Sequence, residues 1–245
     1  MARVALETRR WGVPRCVRAD RLPSTLDAVH ELAAQGAPGG TVVIAAEQTA
    51  GRGRDGRVWH SPRGGAWIGM LVRPPFPATG VVSIRAGLVI ADVVDDLLGG
   101  PRAQLKWPND VLVDDRKVAG VLCEARWQGG TPQWLAMGIG VNVENEIPGA
   151  VADQAIALRD VLPDVRLDDV LDRLIPALLP LTAHHAPLTE SECAAFDRRD
   201  WLRGRALRAP VMGRAAGIRG DGALFVDNPG AGATDVVRDG HVELS

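Results

Sequence analysis

Between Gly51 and Gly65 the chain reads GRGRDGRVWHSPRGG, a run without apolar periodicity that carries arginines at positions 52, 54 and 57. Glycine lets a backbone approach a ligand closely and adopt positive φ. Arginines separated by one and two residues can point into one concavity and meet several phosphate oxygens in fork geometry. The alternative is a solvated basic loop. The run also satisfies G-x-G-x-x-G at Gly51, Gly53 and Gly56. A dinucleotide site would need a helix to open here and an acidic residue about twenty positions later. RVWHSPRGG cannot open a helix, and Pro74 to Gly80 holds no carboxylate, so that reading is excluded.

Two further constellations have chemistry in them. Lys106-Trp107-Pro108-Asn109-Asp110 sets a lysine at the end of an apolar strand beside a rigid corner. A lysine so close to a core either snorkels to water or faces a bound anion, and Asn109-Asp110 would also suit a plain turn. In Gly138-Ile139-Gly140-Val141-Asn142 two glycines alternate, which places both on one face of a strand. They make either a flat floor for a ligand or a thinned edge strand. Asn142 offers a donor and an acceptor suited to a nucleobase or a phosphate-bearing sugar. Together the three segments point to one pocket for an apolar ligand plus phosphate. G-x-S-x-G, H-E-x-x-H and Walker A patterns are absent, so no covalent nucleophile is indicated.

These segments need elements to hold them. Ser24-Thr25-Leu26-Asp27 fits a capped helix start, and Leu26, Val29, Leu32 and Ala33 repeat at helical spacing up to Gly36. TVVIAAEQ (41–48) and AWIGMLV (66–72) read as strands on either side of the arginine loop. Val81 to Leu98 reads as a buried helix stopped by Gly99-Gly100-Pro101. Strands are expected at 104–107, 111–113, 118–127 and 133–142, joined by hairpin-like links at Asp114-Asp115-Arg116-Lys117 and Gly129-Gly130, so the sheet should be mostly antiparallel. Amphipathic stretches at about 153–162 and 167–182 predict covering helices. RALRAPV, AAGIRGDGALFVD and HVELS read as short strands of a small appended β-barrel.

Composition narrows the function classes. Twenty-eight Lys and Arg against 30 Asp and Glu give a net charge of −2, which removes a general electrostatic case for nucleic-acid binding. No apolar run is long enough to span a membrane, and Met1 to Arg10 has no signal-peptide pattern, so the chain is expected in the cytoplasm. Cys16, Cys123 and Cys193 lie too far apart for a zinc site or disulfide framework. Trp59 and Trp67 flank the loop and are candidates to wall a ligand, whereas Trp127, Trp134 and Trp201 read as packing residues. His60, His184 and His185 read as incidental.

In these segments the chain resembles the biotin protein ligases, or biotin–[acetyl-CoA-carboxylase] ligases. The resemblance rests on Ser24-Thr25, AEQTAGRGR (46–54) with Gly56-Arg57-Val58-Trp59, KWPND (106–110), KVAGVL (117–122) and GIGVN (138–142), in family order. It implies an α+β fold, a mixed and mostly antiparallel sheet packed with helices as in class II synthetases. Residues 1–200 would form the catalytic domain and 201–245 an SH3-like barrel. It also implies that ATP, as its Mg²⁺ complex, activates biotin as biotinyl-5′-AMP, which then acylates a lysine of a carboxylase's biotin carboxyl carrier domain. No tightly bound prosthetic group is implied, and the identity of any metal site is left open. By the same resemblance Ser24, Thr25, Gln48, Gly51, Arg52, Gly53, Arg54, Lys106, Gly120, Gly138 and Gly140 hold biotin and its adenylate. Arg54, Arg57, Trp59, Asn109, Lys117 and Asn142 hold the nucleotide, with Lys106 and Arg52 catalytic. Leu26 and Asp55 depart from the family pattern. About twenty residues precede Ser24, too few for a winged helix-turn-helix, so no DNA binding is expected, from a monomer or homodimer. The rival readings are a lipoate or octanoate transferase and a non-catalytic biotin sensor.

Overall fold

A computed structural model describes residues 8–228 and 233–245. Most of the stretch on which the expectation of no signal peptide rests, residues 1–7, lies outside the described residues. A short helix α1 (Thr8–Trp11) is followed by β1 (Cys16–Leu22), α2 (Thr25–Ala34), β2 (Val42–Gln48), β3 (Ala66–Val72) and α3 (Thr79–Leu98). Then come β4 (Gln104–Lys106), β5 (Asp110–Val113), β6 (Arg116–Gln128) and β7 (Thr131–Val141), with α4 (Leu167–Leu178) and α5 (Glu190–Arg199) after them. The chain ends in β8 (Ala206–Ala209), β9 (Gly213–Ile218), β10 (Leu224–Asn228), β11 (Ala233–Val237) and β12 (Glu243–Leu244).

The first seven strands form one sheet in the order β1-β2-β3-β7-β6-β5-β4, parallel between β1 and β2 and antiparallel elsewhere. The expected α+β architecture is therefore present. Asp114-Asp115 and Gly129-Gly130, all at positive φ, turn two of its hairpins. Such turns match the twist of the strands they join. The last five strands form a separate antiparallel sheet in the order β11-β10-β9-β8-β12.

The two faces of the large sheet differ. One is covered by α3 and α4, which bury Ile84, Ile90, Leu171 and Leu174 against Ile68, Met70, Met137 and Ile139. Truncating one of these to alanine would cost about 2–5 kcal/mol. α3 stops where the glycines predict: Gly99 takes the left-handed conformation and donates to the Asp95 carbonyl. The other face meets α2 through a smaller cluster of Leu26, Val29, Val43, Leu71 and Ala136. Register places Gly69, Gly138, Gly140 and Gly120 side by side on that face. A Cβ on Gly69 would lie 2.9 Å from the Thr25 carbonyl oxygen, so glycine there sets how closely α2 approaches.

Two expectations change. Residues 153–162 are not a helix. Residues 153 and 154 close a turn begun at Val151, the next three residues run beside Lys117, which donates to the Gln154 carbonyl and accepts from Ile156, and Leu158–Asp160 form a 3₁₀ segment. The amphipathic pattern is met by burying Ile156 from the bridge to Lys117 and Leu158 from the 3₁₀ segment. The helix expected over 167–182 ends at Leu178 and continues as a 3₁₀ turn over Leu179–Ala183, with Pro180 in its first turn. α5 was not foreseen, although Thr189 and Glu192 form a capping box at its start. Buried Arg85 of α3 holds it, bonding Glu192 Oε1 at 2.5 Å and the carbonyls of Ala186 and Pro187. β11 was likewise unread in the sequence.

Candidate active site

The start of α2 makes the polar end of a cavity. Ser24 caps the helix, its side chain accepting from the Leu26 amide at 3.2 Å. Thr25 donates through both its amide and its hydroxyl to Gln48 Oε1, at 2.8 and 3.1 Å. Gln48 Nε2 donates to the Ser61 hydroxyl at 2.9 Å. Ser24 and Thr25 are buried, so this knot is preformed rather than assembled by a ligand.

The arginine loop is folded back on itself. Gln48 bridges Ser61 and Arg52 bridges Val58, with a tight turn at Asp55-Gly56, where both residues have positive φ. Gly51 belongs to this ladder: a Cβ there would lie 2.4 Å from the Trp59 carbonyl oxygen. Arg52 pairs with Glu124 and Asp27. The hydrogen bonds to Glu124 raise its pKa above the ordinary arginine value, against the opposing effect of burial. Arg54 bonds Asp239, in the link between β11 and β12, and Arg57 is exposed.

KWPND forms the opposite wall. Lys106 is half-buried with Nζ 5.1 Å from the Trp201 ring centroid, and burial lowers its pKa, Asp110 opposing the shift and Lys117 and Arg57 reinforcing it. Lys117 pairs with Asp110 at 2.6 Å and lies 4.8 Å from the Trp59 ring centroid. The Asn109 side chain donates to the Val121 carbonyl at 2.7 Å, and its own carbonyl accepts from the Val121 amide. Asn142 is buried and accepts from Asn145. Trp107 is buried, and its Nε1 donates to the Gly222 carbonyl at 2.9 Å, tying the second sheet to this corner.

These parts enclose a cavity of about 470 Å³, within the usual range for small-molecule sites. Every candidate residue from the sequence lines it except Gly51 and Trp67, which is fully buried with its Nε1 donating to the Pro62 carbonyl. The glycine floor is not bare: Leu26 covers Gly138, and the Trp59 indole covers Gly140 and Gly120. Trp59 Nε1 is buried without a hydrogen-bond partner among the described residues. Sequence reasoning missed Asp27 and Glu124 as the partners of Arg52, because nothing in their spacing marks them. It also missed Trp201, which sits beneath Lys106 rather than serving only as packing, and His241 and Val242, which line the cavity from the end of the chain. Cys123 stays out of the chemistry: burial pushes its thiol up to about 12.

Residues 19–142 match the family described as Biotin/lipoate A/B protein ligase family. The chain belongs to that family. All the candidate residues fall within the matched span. Over 241 residues the chain is 31% identical to Bifunctional ligase/repressor BirA of Bacillus subtilis (strain 168), covering 92% of this chain and 73% of that protein. Over 213 residues it is 34% identical to the Biotin--[acetyl-CoA-carboxylase] ligase of Paracoccus denitrificans, covering 80% and 88%. The solved structure of a biotin protein ligase from Aquifex aeolicus in complex with biotin and ATP shares its fold, with a TM-score of 0.79 and 23% identity over 95% of this chain and 99% of that one. This family member is a ligase enzyme.

Proposed function

We propose that this ligase joins biotin to protein in two steps at the one cavity. A biotin carboxylate oxygen attacks the α-phosphorus of ATP, the bond to pyrophosphate breaks, and biotinyl-5′-AMP results. A lysine amine of a biotin carboxyl carrier domain, from acetyl-CoA carboxylase or a related carboxylase, then attacks the acyl carbon. AMP leaves and the amine gives up a proton. The observation that carries this reading is the joining, in one cavity, of a polar end at Ser24, Thr25 and Gln48, an apolar middle at Leu26, Leu122 and Trp59, and cations at Arg52, Arg57, Lys106 and Lys117. A ureido ring needs short polar partners, and its alkyl body needs an apolar wall.

In this reading Lys106 and Arg52 hold the negative charge that grows as carboxylate and phosphate converge, and such groups act most strongly when aimed in advance. Trp59 offers a ring face to the base, with Lys117, Asn142 and Asn109 beside it. ATP enters as its Mg²⁺ complex. Among the described residues no cluster of three or more His, Cys, Asp or Glu could hold a metal. Residues 1–200 act as the catalytic unit, and 201–245 contribute Trp201 and Gly240 to Val242 to the cavity wall. Among the described residues no helix is long and apolar enough to cross a membrane. We place the reaction in the cytoplasm, where ATP and carboxylases meet. The test is incubation with Mg²⁺-ATP, a purified carrier domain, and biotin or lipoate in parallel. Biotin should appear on the carrier lysine. Lipoate transfer without biotin transfer would replace this reading with the lipoate alternative.

A further inference from the structure

Arg52 reaches the cavity with most of its guanidinium already engaged. Nε donates to Glu124 Oε1 at 2.8 Å, while Nη2 donates to Glu124 Oε2 at 3.0 Å and to Asp27 Oδ1 at 2.8 Å. Nη1 makes no hydrogen bond among the described residues. Behind Glu124 the connection continues. His30 Nε2 lies 2.9 Å from Glu124 Oε2, and Trp134 Nε1 lies 2.9 Å from His30 Nδ1. An indole nitrogen only donates, so Nδ1 accepts and the ring proton sits on Nε2, facing the carboxylate.

Four side chains from different elements thus make one directional relay, Trp134 of β7 to His30 of α2 to Glu124 of β6 to Arg52 of the loop. Trp134 and Glu124 lie on the sheet face that carries Gly138, the face that α2 packs against. The relay is well sheltered, with side-chain exposures of 21% for His30, 30% for Glu124 and 32% for Arg52. Arg52 carries one charge against two carboxylates, so it is a weak lure for distant anions. What it retains is direction. An arginine side chain loses much rotamer freedom when fixed, and a group fixed beforehand loses none when substrate arrives.

We infer that Glu124 and His30 are positioning residues that hold Arg52 so that Nη1 presents its hydrogens to an oxygen of the bound substrate. This deepens the ligase reading and rests on it for the substrate, while the relay itself needs no ligand.

The test has two arms on the full chain. In ¹⁵N-labelled protein without ligand, the His30 ring nitrogens should report the Nε2–H tautomer. The Arg52 Nε–H signal should be protected from exchange, and Glu124→Ala should abolish that protection. In the second arm kcat/KM for adenylate formation is measured for His30→Ala, His30→Phe, Glu124→Gln and Arg52→Ala, singly and combined with Arg52→Ala, alongside Tm. Each relay variant should lose about tenfold when Arg52 is present and less than about twofold when it is already alanine, since residues acting as a unit are not additive. His30→Phe, which keeps ring packing, should lose as much as His30→Ala. Equal losses in both backgrounds, or an Nδ1–H tautomer, would overturn the proposal. A wild-type chain that folds but forms no biotin adenylate would instead overturn the ligase reading, and the first arm would still decide the relay.

Discussion

The Trp59 indole rests on Gly140: a Cβ built on that glycine would lie 2.5 Å from Trp59 Nε1 and 2.7 Å from Cε2. Gly120, paired with Gly140 across β6 and β7, leaves the same ring room on its other side, 3.3 Å from where its own Cβ would stand. The alternating glycines therefore seat a side chain of the protein, which in turn becomes the surface a ligand meets.

Gly140→Ala must push the Trp59 ring away, because a contact of that length is unattainable. If Trp59 carries the base, the KM for ATP should rise about tenfold or more while biotin affinity changes little. Overpacking of this kind costs about 1–3 kcal/mol, readable as a lowered denaturant midpoint. An unchanged ATP KM in pyrophosphate exchange would remove Trp59 from the nucleotide site.

Lys106→Ala should slow adenylation by roughly 10²–10³, corresponding to about 3 kcal/mol at the transition state, with biotin Kd almost unchanged. Burial lowers the Lys106 pKa, so the ammonium is lost at lower pH than for a free lysine. Wild-type turnover should accordingly fall on the alkaline side, and Lys106→Arg, whose charge persists, should flatten that limb. A pH profile with the same alkaline limb in both proteins would show that another group titrates.

Asp200, at the passage into the second sheet, has Oδ1 on the Leu202 amide at 2.9 Å and Oδ2 buried without a partner among the described residues. Burial pushes its pKa up to about 6 from 3.8. The folded state therefore binds the proton more tightly than the unfolded chain does. The resulting stability is fully present below about pH 4 and is lost as pH rises toward 6. Asp200→Asn keeps the acceptor for Leu202 and carries no charge. Chemical denaturation should find it more stable than wild type by about 1–3 kcal/mol at pH 8 and nearly equal at pH 4.

Trp107→Phe keeps an aromatic ring in the core but removes the donor to the Gly222 carbonyl. Leaving a buried carbonyl unpaired costs about 1–3 kcal/mol. Hydrogen exchange should rise first at the β9–β10 turn, because this bond is what holds that turn to the KWPND corner. Protection lost instead across β3 and β7 would show that the ring's packing, not its N–H, matters more.

The elements most open to reading were those whose local pattern and tertiary role agree. α3 stops at Gly99 because only a left-handed residue closes it there, and α2 starts at Ser24 because that hydroxyl satisfies a free amide. Residues 153–162 misled because apolar spacing is compatible with a helix and with a path of turn, bridge and 3₁₀ segment that buries Ile156 and Leu158. The backbone bonds to Lys117, distant in sequence, decided between them. β11 and α5 were passed over, although Thr189 and Glu192 were a legible cap.

For the site, the residue types and order of GRGR, KWPND and GIGVN determined which groups would meet, because glycine, arginine and strand-end lysine are each costly or unusual unless used. Partnership was beyond their reach. Arg52 looked like a free cation in a glycine-rich loop, yet Glu124 and Asp27, brought from β6 and α2, engage it. Gly51 was expected, from the resemblance, to hold biotin and its adenylate, and it packs instead against the Trp59 carbonyl within the loop's ladder. Charge pairing and steric fit depend on distances of a few ångströms between segments far apart in the chain, and only the folded sheet sets those distances.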